Sequence, residues 1–426
     1  MKRYLNNLPR DILDLIYLAG DIAVKLRMHA YLIGGFVRDL FLGVPNFDLD
    51  IVIQGDGIKF ASEFADYFNV RLTAHSRFGT ATLITPERIK LDIATARTEV
   101  YPQPASLPQV FLGTIRDDLA RRDFTINALA IDLLPENFGK LVDFYQGRQD
   151  LEAGIIRILH DLSFIDDPTR IIRAVRFEQR FKFKIEPHSL KLLKEAKRLG
   201  MLKRVSPHRL RDEVILILKE PCVKRCILRL ESLVGLDFIH PHLRLNRINL
   251  RYLTAIKNVI DWFNNNFAIT HRALDSWLMY FIGLLAGALS VGEINQVCKK
   301  FALRRGEIKR IISYNRFSSR IALQLSKRNI LPSQIYRLLE PLSFEVILLI
   351  KASYKNKFLN LNIEKFFKHY NGMRIYIRGE DLTKIGIAPS PDYKKILNRL
   401  LYLQLDGKIN SKQEALEQVK KWLWAS

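Results

Sequence analysis

Short apolar runs separated by helical stretches occupy the first third of the chain. Between about residues 30 and 145, the runs "AYLIGG", "DLDIVI", "TATLIT", "IKLDIA" and "ALAIDLL" have the length and the β-branched content that are typical of strands. Stretches of helical period, such as "GIKFASEFADYF", lie between them. This alternation predicts a domain of mixed helices and strands with a small sheet.

The pattern changes after "VDFYQGRQDLEAGIIRIL", beyond which strand-like runs nearly vanish. Apolar residues then recur three and four positions apart, with many basic residues between them, as in amphipathic helices. No fixed-period repeat and no low-complexity segment interrupts this pattern. The fold class expected for the whole chain is therefore α+β, with a small sheet in the first part and helices in the remainder.

The charge of the chain indicates a polyanionic partner. Among the 426 residues, 67 are Lys or Arg and 44 are Asp or Glu, which gives a formal net charge of +23. An excess of this size favours nucleic acid, since phosphate contacts supply most of the nonspecific affinity. A membrane surface is the competing explanation, but the sequence has no run of 18 apolar residues and no signal peptide. We therefore expect a cytoplasmic protein that does not bind a membrane.

The three cysteines do not indicate a disulfide framework. Cys222 and Cys226 are four residues apart, with no partnering cluster of Cys or His in the sequence. The spacing favours positions in a helix core over a zinc site.

Two aspartates lie on one face of the predicted strand "DLDIVI". Because side chains alternate along a strand, Asp48 and Asp50 point the same way, and two like charges there repel. The pair is reasonable if it binds Mg²⁺, which takes oxygen ligands and keeps substrate phosphates in its shell. The alternative is a strand end at which both carboxylates are merely hydrated.

The glycine pair just before this strand favours the metal interpretation. Gly34 and Gly35 end a strand and allow a backbone or a phosphate to approach closely. A short helix is predicted from Phe36 to Leu42, and its amide groups would favour an anion. Arg38 could add a charge-assisted contact to a triphosphate, and Asp39 is expected to orient Arg38 or to cap the helix.

These residues resemble the signature GG-x-V-R-D…D-x-D of the polymerase-β superfamily, in the form found in class II tRNA nucleotidyltransferases, the CCA-adding enzymes, and in bacterial poly(A) polymerases. The resemblance implies a polymerase-β-like nucleotidyltransferase head followed by an all-α neck, body and tail. It also implies two-metal transfer of a nucleotide to an RNA 3′-hydroxyl. A third carboxylate usually comes from a neighbouring strand, and Asp92 in "IKLDIAT" is the candidate; the alternative is a plain strand-end aspartate.

The segment "DDLARRDFTINALAIDL" matches the R-R-D-F-T-I-N-A element of the same family over eight residues. By this resemblance, Arg122 and Asn127 should face the triphosphate. Asp123 should accept a hydrogen bond from the ribose 2′-hydroxyl. For Arg121, a solvated charge on a helix is the favoured interpretation.

The segment "FIDDPTRIIRAVRFEQRF" can be interpreted in two ways. As a basic amphipathic helix, it would place Ile171, Ile172, Val175 and Phe177 in the core, and Asp167, Arg170 and Arg173 would form a ladder of ion pairs. The resemblance instead matches the segment to the E-D-x-x-R motif, which reads the incoming base. Asp166 stands in place of the motif's Glu.

The hydrogen bonding of this motif follows from the base edges. Cytosine and adenine each present an exocyclic amine beside a ring nitrogen acceptor, so Asp167 can accept from the amine while Arg170 donates to the ring nitrogen. Uracil and guanine reverse this pattern, and each mispaired group would cost about 1–3 kcal/mol. One pair of residues can therefore admit CTP and ATP and reject UTP and GTP.

The remaining segments contribute expectations about packing and RNA binding. Arg209 could brace the nucleotide pocket through Glu213, four residues later, or form a structural ion pair with it. The basic C-terminal half is expected to contact tRNA, most of all in the tail. The expected divisions are a catalytic head over 1–145, a neck with base-recognition helices over 146–220, a helical body over 221–370 and a tRNA-binding tail over 371–426.

The sequence thus indicates an Mg²⁺-dependent nucleotidyltransferase that adds C and/or A to the 3′ end of tRNA from CTP and ATP, and it leaves open whether CCA, CC or A is added. A bacterial poly(A) polymerase is the close alternative, and a noncatalytic RNA-binding protein is a distant one. An HD phosphohydrolase is rejected, because His240 and His242 have no recognisable set of further ligands in the sequence.

Overall fold

The structure is a computed structural model that describes residues 2–267 and 271–424. It consists of two compact units, the first ending at Phe238 and the second beginning at Ile239. The division into head, neck, body and tail is finer than this and stays a prediction.

Strands of the described residues all lie in the first unit. In chain order they are β1 (His29–Ile33), β2 (Leu49–Gln54), β3 (Leu72–His75), β4 (Thr80–Ile84), β5 (Lys90–Thr95), β6 (Arg97–Val100), β7 (Gln109–Leu112), β8 (Ala130–Asp132), β9 (Leu141–Val142), β10 (Ile155–Ile156) and β11 (Lys184–Ile185). Seven of them form one sheet in the order β3-β4-β5-β2-β1-β8-β9, while β6 pairs with β7 and β10 with β11. In the large sheet, β2 and β5 run parallel and the other neighbours are antiparallel.

Helices account for most of the rest of the first unit. They are α1 (Lys2–Leu5), α2 (Arg10–Leu26), α3 (Gly34–Leu42), α4 (Gly57–Phe68), α5 (Ile115–Ala120), α6 (Gly147–Ala153), α7 (Ser163–Asp166), α8 (Thr169–Phe181), α9 (Pro187–Arg198), α10 (Pro207–Leu218) and α11 (Val223–Leu233).

The sheet has two different faces, and the alternation along β2 shows why. Leu49, Ile51 and Ile53 point into the larger core, which also contains apolar side chains of α2, α3 and α4. Val52 points to the other face and joins a smaller cluster. Asp50, two residues before Val52, shares that second face. The carboxylate therefore lies on the face that has the smaller apolar cluster.

The second unit is helical throughout its described residues. Its helices are α12 (Arg247–Phe267), α13 (Ser276–Leu285), α14 (Val291–Lys300), α15 (Arg305–Leu325), α16 (Pro332–Leu339), α17 (Phe344–Ser353), α18 (Lys357–Lys365), α19 (Gly379–Lys384), α20 (Asp392–Leu405) and α21 (Lys412–Trp424). Residues between Ile377 and Val419 form a small core of their own. A sheet-containing first part followed by helices confirms the predicted α+β class.

Two smaller expectations can also be compared with the structure. Cys226 is fully buried on α11, as expected for a helix core, while Cys222 is half-buried just before that helix. Within the described ranges, no helix combines the length and the apolar character needed to span a bilayer.

A glycine in α2 provides a test of how this helix packs on the sheet. A Cβ at Gly20 would lie 2.3 Å from the carbonyl oxygen of Leu133, a backbone atom that cannot move aside easily. Alanine normally stabilises a helix more than glycine does. Here the clash with the Leu133 carbonyl should outweigh this preference, and we expect Gly20→Ala to lower the free energy of unfolding by about 1–3 kcal/mol. Urea denaturation followed by circular dichroism measures this change.

Gly306→Ala is the control, because a Cβ at Gly306, in the first turn of α15, would meet nothing within 4 Å. This variant should stay within about 0.5 kcal/mol of the parent or be slightly more stable. A Gly20→Ala protein as stable as the parent would contradict the described packing of α2.

Candidate active site

The structure brings two of the three predicted carboxylates together at one place in the sheet. Asp50 on β2 and Asp92 on β5 are direct partners in the parallel register, so their side chains leave the same face. Asp48 is exposed and lies one residue before β2, which begins at Leu49 and not at position 48 as the sequence suggested.

Charge accumulates around Asp50. Burial raises the pKa of its carboxyl to about 6, with Asp92 and Asp48 adding to the rise and Arg122 and Lys90 opposing it. Asp92 is held in place because its carboxylate accepts hydrogen bonds from Thr82 Oγ1 at 2.6 Å and Lys90 Nζ at 2.5 Å. Asp50 and Asp92 can provide carboxylate oxygens as ligands, and oxygen ligands of this kind fit Mg²⁺.

The three aspartates do not form a tight cluster. Within the described residues, one group of three His, Cys, Asp or Glu side chains has its donor atoms within 4.8 Å of one another, and it lies in the second unit. A cation at Asp50 and Asp92 would therefore take part of its shell from outside the protein, as Mg²⁺ does when it binds substrate phosphates.

The first glycine of the pair is required by a neighbouring arginine. Gly34 has a φ of +65°, and a Cβ at this position would lie 2.6 Å from Nη1 of Arg122 and 3.9 Å from Oδ2 of Asp50. The helix α3 begins at Gly34, two residues earlier than predicted. The absence of a side chain at Gly34 therefore leaves room for the Arg122 guanidinium near the Asp50 carboxylate of β2.

Arg38 lies on α3 and is 95% buried. Its Nε donates to Asp39 Oδ1 at 2.8 Å and its Nη1 donates to Asn127 Oδ1 at 2.6 Å. The guanidinium also lies over the rings of Phe177 and Phe181, at 5.3 and 4.8 Å from their centroids. Burial lowers its pKa, and Asp39 partly restores it. The expectation that Asp39 orients Arg38 is confirmed.

Asp123 is the most heavily engaged carboxylate of the site. Its Oδ1 accepts from the Phe124 amide at 2.9 Å and from Asn127 Nδ2 at 2.8 Å. Its Oδ2 accepts from Nε and Nη2 of Arg173 at 2.8 and 2.6 Å. Burial would raise the pKa of this carboxyl, but Arg173 and Asn127 hold it at about 2. Because four donors occupy the four lone-pair positions, a ribose hydroxyl could bind here only by displacing one of them.

The prediction that Arg121 is a solvated helix charge is wrong. Its side chain is 17% exposed, with Nη2 donating to Asp118 Oδ1 at 2.6 Å and Nη1 to Glu99 Oε1 at 3.1 Å. Asp118 is buried, and its Oδ2 accepts from Arg122 Nη2 at 3.0 Å. Asp118 thus holds two adjacent arginines at the cavity, a role that a local charge pattern does not reveal.

The two proposed base-reading residues lie at the start of α8. Asp167 accepts from Thr169 Oγ1 at 2.6 Å and from Arg209 Nη2 at 2.7 Å, and all these contacts fall on Oδ1. Arg170 is 97% buried and donates through Nη1 to Ser163 Oγ at 2.6 Å.

The guanidinium of Arg170 also donates through Nη2 to the Arg121 carbonyl oxygen at 2.7 Å. These two bonds use two of its five N–H donors. Asp167 Oδ2 and the remaining donors of Arg170 are thus available to a ligand, although both residues are already held by protein contacts.

The predicted pairing of Arg209 with Glu213 is wrong. Arg209 pairs with Asp167, and Glu213 Oε1 pairs with Arg173 Nη1 at 3.3 Å. Both residues lie on α10, but each finds its partner elsewhere: Asp167 lies two residues before α8, and Arg173 lies on that helix. Spacing of four along a helix allows a pair without requiring one.

Most of these side chains line one cavity of about 660 Å³, whereas Asp48 and Asp92 are not among its lining residues. It is also lined by residues that the sequence did not single out for the site: Glu99, Tyr101, Arg176, Phe177, Arg180 and Asp212. Arg176 and Arg180 could have been found from the sequence, because they follow Arg170 and Arg173 at helical spacing on α8. Glu99 and Tyr101 lie in and next to the β6–β7 hairpin, and nothing in their local sequence indicates that they face this cavity.

The cavity is suited to an anionic ligand. Eight arginines line it, against six carboxylates. The Nε atoms of Arg122 and Arg176 are buried without a hydrogen-bond partner, so their donors are still unsatisfied. An anion with several oxygens would satisfy such donors, and Asp50 at the cavity, with its strand partner Asp92, would hold the cation that accompanies phosphates.

Two family profiles match the chain. The profile of the poly A polymerase head domain matches residues 30–157, and the profile described as a probable RNA and SrmB-binding site of polymerase A matches residues 182–245. The first covers the sheet with its carboxylates, and the second covers α9 to α11.

Similarity to tRNA nucleotidyltransferases extends along the chain. The A-adding tRNA nucleotidyltransferase of Halalkalibacterium halodurans is 35% identical over 98% of this chain and 94% of that protein. That of Geobacter sulfurreducens is 35% identical over 96% of this chain, which spans about half of that relative (47%). The Thermotoga maritima CCA-adding enzyme, solved in complex with tRNA-CCA, is 33% identical over 99% of this chain and 98% of that one, with a TM-score of 0.71. The chain therefore belongs to the family of tRNA nucleotidyltransferases and poly(A) polymerases.

Proposed function

We propose that this protein adds the terminal A to the 3′ end of tRNA, with ATP as the nucleotide donor. The observation that carries the proposal is a single cavity lined by Asp50, eight arginines and the Asp167–Arg170 pair, with Asp92 as the direct strand partner of Asp50. These are the groups that nucleotidyl transfer needs for a metal, a triphosphate and a base.

The carboxylates would serve the chemical step. Bound at Asp48, Asp50 and Asp92, two Mg²⁺ ions would lower the pKa of the attacking 3′-hydroxyl and neutralise charge on the leaving pyrophosphate. Arg122 lies beside Gly34 and Asp50, where its guanidinium can bind phosphate oxygens next to the reacting centre. Lys90 and Thr82 keep Asp92 oriented toward the same place.

Selection of the base would fall to the start of α8. Asp167 Oδ2 can accept the N6 amine of adenine, and an unused N–H of Arg170 can donate to N1. The contacts of Arg170 with Ser163 and the Arg121 carbonyl fix the direction of its guanidinium before a nucleotide binds. Because the guanidinium is already held in place, it cannot move to form a new hydrogen bond with a mismatched base. Such a base therefore binds more weakly.

RNA binding would use the positive charge of the whole chain. The net charge of +23 supports affinity for a phosphate backbone, and we propose that the helical second unit, including the predicted tail over 371–426, contacts tRNA. This role is independent of the carboxylates at Asp48, Asp50 and Asp92.

Addition of A alone is preferred because two relatives with this name, from Halalkalibacterium and Geobacter, align with nearly the whole chain at 35% identity. Addition of the complete CCA is the second candidate. It is supported by the similar identity, 33%, to the CCA-adding enzyme of Thermotoga maritima. The pair Asp167 and Arg170 admits both C and A, so it does not separate the two candidates.

Transcripts that end at different points distinguish these activities. tRNA ending at the discriminator base, at C and at CC is incubated with ATP or CTP alone, and the products are resolved at single-nucleotide length. We expect one A on the transcript ending in CC and no use of CTP. Addition of C to the two shorter transcripts would instead establish the second candidate.

An unstructured RNA ending in CC is the control for this experiment. It should be extended poorly, because it lacks the fold that the basic surface is proposed to grip. Long A tails on this RNA would replace the proposal with a poly(A) polymerase, and no extension of any RNA would contradict nucleotidyl transfer.

Replacement of Asp50 tests the role of the carboxylates. Asp50→Ala should lower the rate of nucleotide addition about a thousandfold or more, the equivalent of the several kcal/mol that a bound metal contributes. Affinity for tRNA should be unchanged, since this residue is proposed to serve only the chemistry. Single-turnover addition and a filter-binding assay measure the two quantities.

The matched control is Asp66→Ala, which removes an exposed carboxylate on α4, a helix of the same sheet domain. Its activity should equal that of the parent. If Asp50→Ala were as active as the parent, Asp50 would not be a ligand of a catalytic metal.

A further inference from the structure

The second unit contains a cluster of metal-ligating side chains that the proposed function does not use. His240 and His242 lie in the segment between Ile239 and the start of α12, and Glu293 lies in the first turn of α14. One donor atom from each residue lies within 4.8 Å of the other two. We propose that these three side chains form a binding site for Zn²⁺.

Glu293 is oriented before any metal binds. Its Oε2 accepts from the backbone N–H and from Oγ of Ser290, both at 2.8 Å, in a capping box at the start of α14. The other oxygen, Oε1, faces His242 Nδ1 at 2.5 Å. The ligand oxygen therefore has a fixed position.

His240 is buried, and its ring is held by its neighbours. Its Nδ1 accepts from the backbone N–H of His242 at 3.3 Å, and its Nε2 is 3.4 Å from Gln296 Oε1, one turn beyond Glu293 on α14. The tautomer with the proton on Nε2 satisfies both contacts. In this tautomer Nδ1 carries the lone pair and would be the ligand atom, giving up the 3.3 Å bond from the His242 N–H when the metal binds. Nε2–H would keep its contact with Gln296, as the second N–H of a metal-binding histidine commonly does.

His242 supplies the adaptable part of the site. Its side chain is 74% exposed, and its ring lies 5.4 Å from that of His240 at 79°. Ligands of a tetrahedral Zn²⁺ at about 2.0–2.2 Å are separated by about 3.4 Å. The present distances require a small movement, which an exposed side chain can make at little cost.

The ligand types select the class of metal. Two imidazoles and one carboxylate suit Zn²⁺ and related transition metals, whereas Mg²⁺ prefers oxygen ligands throughout. Three protein ligands leave one position for water. Because Glu293 begins α14 and the histidines belong to another segment, the ion would tie residues 240–242 to this helix. The alternative is a His–Glu surface ion pair without any metal.

Zinc titration of the full-length protein tests the site. The protein is first treated with a chelator and then titrated with Zn²⁺ by calorimetry in excess Mg²⁺, which occupies the carboxylates of the proposed catalytic site. We expect one equivalent of Zn²⁺ to bind and to raise the Tm. In His242→Gln, the affinity should fall about a hundredfold or more, since even residues that only orient a ligand account for about 10- to 100-fold.

His188→Gln is the matched control. His188 is an exposed histidine paired with a carboxylate, Asp161, at 2.9 Å, and it belongs to no group of three ligands in the described parts of the chain. Its loss should leave the Zn²⁺ affinity and stoichiometry unchanged. Glu293→Gln provides a second ligand variant if His242→Gln is unstable.

Absence of stoichiometric binding would overturn the proposal, as would equal affinity in the parent, His242→Gln and Glu293→Gln proteins. The readout is metal binding and not nucleotide addition, so this result is independent of the proposed function.

Discussion

The buried pair of Asp123 and Arg173 is the constraint on which the geometry of the proposed site depends. The two residues are 50 positions apart, and Asp123 is 92% buried. Burial by itself lowers the pKa of Arg173, yet Asp123 and Glu213 raise it overall, so the guanidinium stays charged. Loss of Arg173 would leave the buried charge of Asp123 without this cation, the case in which breaking a buried pair costs about 3–5 kcal/mol. Arg173 is half-buried and also pairs with Glu213. The pair therefore fixes the position of Asp123 relative to Arg173.

This pair is the middle of a network that joins the sheet to α8. Asn127 accepts from Arg38 and donates to Asp123, and Arg173 continues the contact to Glu213 on α10. The carboxylates proposed for chemistry lie on or next to β2 and on β5, while the residues proposed for base selection lie on α8 and just before it. The network sets the distance between the proposed catalytic residues and the proposed base-selecting residues.

Much of the site could be predicted because its motifs are local. The glycine pair, Arg38, Asp48 and Asp50 lie within 17 residues. Strand alternation gave the face of Asp50, whereas Asp48 lies just before β2 and not on the strand as predicted. The buried side chains of α8 followed from helical period, with Ile171, Ile172, Val175 and Phe177 all in the core. Other contacts join distant segments. Examples are Arg209 with Asp167, Arg121 with Glu99, and His242 with Glu293, 51 residues later. No local period specifies these, since tertiary packing decides which opposite charge is nearer.

The central claim is that one cavity carries out nucleotide addition with one set of residues and selects the base with another. The most direct measurement is the ratio of kcat/KM for ATP to that for GTP in Arg170→Ala, with Ser163→Ala as the control that removes only a contact to the guanidinium. The account predicts that Arg170→Ala lowers this ratio about 10- to 100-fold, the equivalent of a contact of 1–3 kcal/mol. Ser163→Ala should lower it less, because the Arg121 carbonyl still holds the guanidinium. An equal loss of kcat/KM for ATP and GTP in Arg170→Ala would contradict it, because Arg170 would then support the fold of the site without reading the base.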